Sequence, residues 1–204
     1  DLNYDADIKL EDAISNLTRK AIEAVKSNKV FIILSDKEIK KGKLPIHALL
    51  GTGAVHHALI KSGLRTKANI IVETATARDS HHCAALIGYG ATAIYPYLAY
   101  QSLNSMIIEK SDDNAEFFQA TRNYRQGINK GLYKILSKMG ISTIASYRGS
   151  QLFECVGLNQ EIVDLCFCDT TNRLSGTTFR DLESDQMQLA KNTWSQRKNI
   201  KAQQ

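Results

Sequence analysis

Asn69-Ile70-Ile71-Val72-Glu73-Thr74, then Asp79-Ser80-His81-His82-Cys83-Ala84-Ala85-Leu86-Ile87, then Thr92-Ala93-Ile94-Tyr95: this stretch decides the fold. Ile70-Ile71-Val72 between polar neighbours reads as a buried strand. Asp79 or Ser80 can accept from the free first-turn amides of a helix. Gly88 and Gly90 end that helix, and Thr92–Tyr95 reads as a second strand before Pro96. Strand, helix and strand in this order form a βαβ unit, which implies a parallel sheet and a right-handed crossover.

Working outward, residues 11–27 carry Ala13, Ile14, Leu17, Ala21, Ile22 and Val25 at helical spacing. Lys29–Ser35, with Val30-Phe31-Ile32-Ile33-Leu34, reads as a strand buried on both faces. Pro45 suits the first turn of a helix running to about Lys61, in which Gly51 and Gly53 interrupt the pattern or mark close packing. Toward the C-terminus, residues 115–138 read as a long helix with Gly127 and Gly131 on one side and Gly140 as its stop. Then follow an expected strand over Ile141–Tyr147, a short helix over Gln151–Val156, a strand over Ile162–Phe167 and a helix over Thr177–Trp194. The pattern is α/β with a largely parallel sheet.

The 204 residues are 43% hydrophobic and 23% charged, which is globular composition rather than disorder or collagen. The net charge of +5 could suit nucleic acid or anionic ligands. The Lys and Arg residues are scattered, however, and the densest cluster (Lys37, Lys40, Lys41, Lys43) holds no aromatic, so a nucleic-acid partner is not expected. Cys83 to Ile108 is uncharged, but Gly88, Gly90, Pro96 and a polar second half argue against a membrane span and for a buried helix followed by a buried strand. No secretory signal is visible, so a cytoplasmic protein is expected. Cys83 and Cys155 read as core residues, and Cys166-Phe167-Cys168 as a pair sharing one strand face. No metal site is expected, because the histidine pairs His56-His57 and His81-His82 each diverge by about 100° on a helix. The acidic N-terminus and the basic tail (Arg197, Lys198, Lys201) both read as frayed ends.

Ligands of parallel α/β sheets meet the loops at strand carboxyl ends. Glu73 to His82 could serve acid–base chemistry there, but the plainer reading is that Glu73 pairs with Arg78, Asp79 caps the helix and the histidines pack. Gly140, Ser142 and Thr143 offer a close backbone and hydroxyl donors, Arg148 a fork for an anion, and Gly149 the opening of a helix; phosphate binding and plain turn chemistry stand level here. Asp169 to Arg173 reads foremost as a capped turn. The P-loop, dinucleotide and nucleophile-elbow fingerprints are absent from the sequence.

Longer strings go further. Leu44-Pro45-Ile46-His47-Ala48-Leu49-Leu50, Gly53-Ala54-Val55-His56-His57, Ala68 through Thr74, Arg78, His81-His82 and Gly88-Tyr89-Gly90-Ala91 resemble the central domain of the glutamate synthase large chain. Tyr124-Arg125, Gly127 through Leu132, Ser137 through Thr143, Ser146-Tyr147-Arg148-Gly149, Gln151, Phe153-Glu154 and Gly157-Leu158 resemble the start of that family's FMN-binding barrel.

The resemblance implies incomplete parallel βα units: residues 1–115 as the end of the central domain, and 116–204 as the first βα units of a TIM-type barrel. It implies a share in making L-glutamate from L-glutamine and 2-oxoglutarate, by FMN-mediated reduction of 2-iminoglutarate. It also implies the remaining synthase domains as partners, with an electron-donor subunit or ferredoxin. By the resemblance, Met139, Gly140, Ile141, Ser142 and Thr143 lie against FMN, with Gln151 nearby. Arg173 falls in a segment similar to a family Gly-Thr-x-Ser-Arg-Ile run, although Asp169 and Asn172 replace its Gly and Ser. The family's amidotransferase cysteine and its iron–sulfur ligands have no match here, so no catalytic residue is assigned and the chain is expected to be inactive alone. The alternatives are a separate FMN- or anion-binding module and a non-catalytic assembly fragment.

Overall fold

The structure is a computed structural model that describes residues 1–108 and 114–195. Strand β1 (Asn3–Asp5) leads into helix α1 (Leu10–Lys26), β2 (Phe31–Ser35), β3 (Lys43–Pro45) and α2 (Ala48–Lys61). β4 (Asn69–Glu73), α3 (Ser80–Gly88) and β5 (Ala93–Tyr95) follow, and then α4 (Tyr97–Ile108) and α5 (Asn114–Lys138). The remainder is α6 (Ile144–Tyr147), β6 (Glu154–Leu158), α7 (Gln160–Cys166), β7 (Thr171–Thr177) and α8 (Phe179–Trp194).

The βαβ reading holds. β2, β4 and β5 form one parallel sheet in that order, with Ile32 opposite Ile70 and Val72 opposite Ile94. β6 and β7 form a second parallel pair, whereas β1 and β3 are antiparallel. This α/β arrangement is built around one main core, in which Ile14, Leu34, Val55, Leu59, Ile70 and Ile162 are all but sealed from solvent.

Several local expectations are overturned. β2 buries one face only: Ile32 and Leu34 point inward, while Phe31 and Ile33 stand 61% and 58% exposed. A continuous apolar run therefore does not fix two covered faces. β5 is likewise a half-open edge rather than a buried strand. Pro45 lies in β3 and α2 starts at Ala48, capped by the His47 side chain, which accepts from the Leu49 amide. The N-terminus is not frayed, because Leu2 is fully buried and β1 pairs with β3. The basic tail expected to fray lies outside the described residues.

The C-terminal third differs most. Ile141–Tyr147 is not a strand. Gly140 leaves α5 at φ +70°, and the Thr143 hydroxyl then caps a helical turn, α6, by accepting from the Ser146 amide. Gln151–Val156 is not a helix, because Gln151 sits at φ +54° and β6 then pairs with β7. Ile162–Phe167 is not a strand. Asn159 caps α7, and Ile162, Val163 and Cys166 fill one helical face. Cys166 is therefore buried on a helix and Cys168 half-exposed beyond it, so the two share no strand face. Asp169 to Arg173 turns at Asp169 (φ +62°) but then enters β7, which the sequence did not announce.

The glycines explain how the helices come together. A Cβ on Gly53 would lie 2.1 Å from the Cys166 carbonyl oxygen, so α2 and the end of α7 meet backbone to backbone. Gly131 likewise admits Ser80, whose hydroxyl donates to the Ile128 carbonyl at 3.2 Å, whereas Gly127 faces open space.

Candidate functional site

The carboxyl ends of β2, β4 and β5, where an α/β ligand would be sought, are tied together by the protein itself. Asp36 is 6% exposed, and its carboxylate accepts from the Thr74 hydroxyl at 2.5 Å and the Ala75 amide at 3.0 Å. The Tyr97 phenol is raised by burial and by its hydrogen bond to Asp36. Glu73 accepts from the Ser35 hydroxyl at 2.6 Å and pairs with Lys37 at 3.7 Å, not with Arg78. Asp79 caps α3 by accepting from the His82 amide at 2.9 Å, as expected. Of the structural reading of Glu73 to His82 the Asp79 cap alone holds: Glu73 is paired elsewhere, His81 is exposed and His82 half-exposed, and the two histidines line a pocket with Arg78 rather than packing. Asp36 was missed; an acid directly after an apolar strand was its one signal.

The sequence candidates meet elsewhere. A cleft of about 150 Å³ opens between α2, the end of α3 and the two loops after α6 and α7. Its walls include His56, His57, Gly149, Gln151 and Asp169, drawn from three separate candidate segments. Gly149 opens no helix; at φ +71° it donates its amide to the Gly88 carbonyl at 2.9 Å, which ties the α6 loop to the end of α3. His56 is held by Arg65, whose Nε donates to Nδ1 at 2.9 Å while its other nitrogens donate to the Ala68 and Gly90 carbonyls. Burial, followed by the charges of Arg65, His57 and Arg148, lowers His56 to about 4, so the ring is neutral at ordinary pH. His57 is also lowered, chiefly by burial, and its Nε2 is buried without a partner. The Tyr147 hydroxyl and Arg148 Nε are in the same condition. Buried polar groups left so are costly and rare. Among the described residues no hydrogen bond joins a nucleophile to a base in this cleft, and none gathers three metal-ligating side chains.

Of the six residues expected at FMN, Gln151 alone lines the cleft. Met139 is exposed, Ile141 packs beside Leu136 and Tyr147, and Thr143 is spent on capping α6. A cleft of about 150 Å³ lies well below the roughly 300–1,000 Å³ of ordinary ligand pockets. Arg173, singled out in the sequence, pairs with Glu154 at 3.4 Å on the surface.

By fold, the chain is an α/β protein similar to a mutant flavocytochrome b2 with pyruvate bound. The TM-score is 0.52 over 65% of this chain and 32% of that one, at 14% identity, which is a likeness of fold alone. Residues 1–159 match the glutamate synthase central domain profile. The chain belongs to the glutamate synthase family. It is 42% identical to ferredoxin-dependent glutamate synthase 2 of Synechocystis sp. over 90% of its length, and 38% identical to the NADH glutamate synthase of Saccharomyces cerevisiae over 93%. Over 86% of its length it is 42% identical to the NADPH glutamate synthase large chain of Bacillus subtilis. The chain spans 13%, 9% and 12% of the length of these three relatives. The resemblance to the glutamate synthase large chain read from the sequence is borne out.

Proposed function

We propose that this chain serves as a non-catalytic segment of a glutamate synthase, and that its activity belongs to a protein that also carries the remaining synthase domains. The observation that carries the reading is the central-domain match over residues 1–159, beside a candidate cleft that lacks a nucleophile–base pair. In that protein the overall reaction is formation of L-glutamate from L-glutamine and 2-oxoglutarate, in the cytoplasm, with an electron-donor subunit or ferredoxin as partner. The relatives name ferredoxin, NADH and NADPH, so likeness does not choose among donors.

The family resemblance places the division at residue 115, with a flavin barrel beginning after it. The profile's run to residue 159, and the seating of Ile162, Phe167 and Phe179 in the same core as Ile14 and Ile70, support a division well beyond residue 115. Met139 to Thr143 and Gln151 would then contribute to a flavin site only alongside residues of other segments. The test is titration of the folded 204-residue chain with FMN, followed by flavin fluorescence, beside an assay for glutamine-dependent glutamate formation. No saturable quenching and no turnover are expected. Saturable micromolar quenching, lost in Ser142→Ala, would instead establish a separate flavin module.

A further inference from the structure

The loop after β4 is closed against Asp36 on one side and open on the other. On the open side Thr76, Ala77 and Arg78, the first two turns of α3 and the start of α2 enclose a pocket of about 270 Å³. It lies at the carboxyl end of a parallel strand, where α/β proteins receive small ligands. Its walls include Ala48 and Ala77, each 1% exposed, and the polar side chains of His47, Arg78, His81 and His82.

The protons of two of these imidazoles are fixed by amides, which can only donate. The Leu49 amide donates to Nδ1 of His47 and the Arg78 amide to Nδ1 of His82, each at 3.3 Å, so both neutral rings carry their proton on Nε2. The exposed His81 ring lies 6.4 Å from that of His82. Thr76 adds no donor, because its hydroxyl is spent on Thr74, whose own proton goes to Asp36. The pocket therefore offers the Arg78 fork and imidazole N–H groups, and no carboxylate lines it. The acids around it are engaged: Asp36 with Thr74 and Ala75, Glu73 with Ser35 and Lys37, and Asp79 with the His82 amide. Asp79 stands beside Nδ1 of His82, at 3.4 Å, rather than at Nε2. It already occupies the first turn of α3, so the helix end by itself is not the attraction for an anion. Arg78 pairs with no carboxylate among the described residues.

We propose that this pocket binds a small phosphomonoester, its phosphate accepting from the Arg78 guanidinium and from Nε2 of His47 and His82, with His81 beside them. A guanidinium fork and N–H donors without a competing acid match an oxyanion. Phosphate brings three terminal oxygens to a carboxylate's two, and so uses more of these donors. The site shares no residue with Met139 to Thr143 or Gln151 and does not rest on the flavin reading, so either can fail without the other.

The test is amide chemical-shift titration of the isotope-labelled 204-residue chain with methyl phosphate, propionate and propylamine. Methyl phosphate is expected to shift Ala77, Arg78, His81 and His82 saturably with a millimolar Kd, as befits a ligand of about six heavy atoms. Propionate is expected to bind at least about tenfold more weakly, and propylamine not at all. Arg78 is exposed, so Arg78→Gln leaves the fold intact and should weaken methyl phosphate by about tenfold or more. Arg19→Gln, on α1 and outside the pocket, should leave the affinity unchanged. Asp79→Asn keeps a capping side chain and removes a negative charge beside His82, so it should tighten binding severalfold, a gain that misfolding cannot imitate. No saturable shift overturns the proposal. So does propionate binding as tightly as methyl phosphate, or an affinity that Arg78→Gln changes no more than Arg19→Gln does.

Discussion

Gly53→Ala asks for one methyl group where α2 meets α7. The new Cβ would lie 2.1 Å from the Cys166 carbonyl oxygen and 3.3 Å from both its carbonyl carbon and Phe167 Cδ1. Ordinary carbon–oxygen contacts are about 3.3–3.6 Å, so the carbonyl must retreat by about 1 Å. It is backbone, and it cannot rotate away as a side-chain tip would. The retreat drags α7, whose Ile162 and Val163 are 0% and 1% exposed. Overpacking of this kind costs about 1–3 kcal/mol, and loosening those two side chains adds to it. Against this, alanine is favoured over glycine in a helix by about 1 kcal/mol. The expected net loss is about 2 kcal/mol, or a fall in Tm of roughly 4–8 °C for a chain of this size. The control is Gly127→Ala in α5, where a Cβ meets nothing within 4 Å, so helix propensity acts alone and stabilises by up to about 1 kcal/mol. Urea and thermal unfolding followed by circular dichroism separate the two. If Gly53→Ala melts at or above the unmodified chain, α7 is not seated on α2 as described, and the cleft beside it loses its floor.

The His56 ring should show no titration above about pH 5 in side-chain NMR, because burial and then its cationic neighbours hold it near 4. The unfolded chain takes up that proton near 6.5, so the stability from neutral His56 is complete above pH 6.5 and is lost as the pH falls toward 4; an inflection near 6.5 in the folded chain would refute this. Burial pushes Cys83 up to about 11 and Cys166 up to about 12, and Cys155 is buried and raised as well. A thiol-exchange reagent should therefore find one fast thiol, half-exposed Cys168, and two fast thiols would contradict the packing. Thr178→Ala should cost about 1 kcal/mol by opening the capping box in which Thr178 and Asp181 satisfy each other's amides, while Thr178→Ser should be nearly neutral.

The likeness to a family was legible because long ordered strings such as Ser137 to Thr143 and Gly53 to His57 are specific as text, whatever shape they take. The βαβ unit was legible because Ile70 to Val72, the Asp79 cap and the glycines after Ile87 all act locally. What misled was short apolar runs. Ile162 to Phe167 has too few residues to show whether its period is two or 3.6, and the Asn159 cap with the seat against Gly53 decided for helix. Val30 to Leu34 carried no sign of which face would be covered, since that depends on where α1 and α2 pack. Asp36 and the Arg65–His56 clamp were invisible for the same reason: their partners lie 38 and 9 residues away, and no spacing rule links them.

By itself, then, the sequence determined the local elements with strong caps or stops, the parallel βαβ pairing and the family, all of which depend on neighbours along the chain. The tertiary structure alone decided which apolar faces are covered, that the strand carboxyl ends are closed by Asp36, and that His56, Gly149 and Asp169 share one cleft. The physical reason is that burial, unpartnered charge and close backbone approach are properties of pairs distant in sequence, and only packing brings such pairs together.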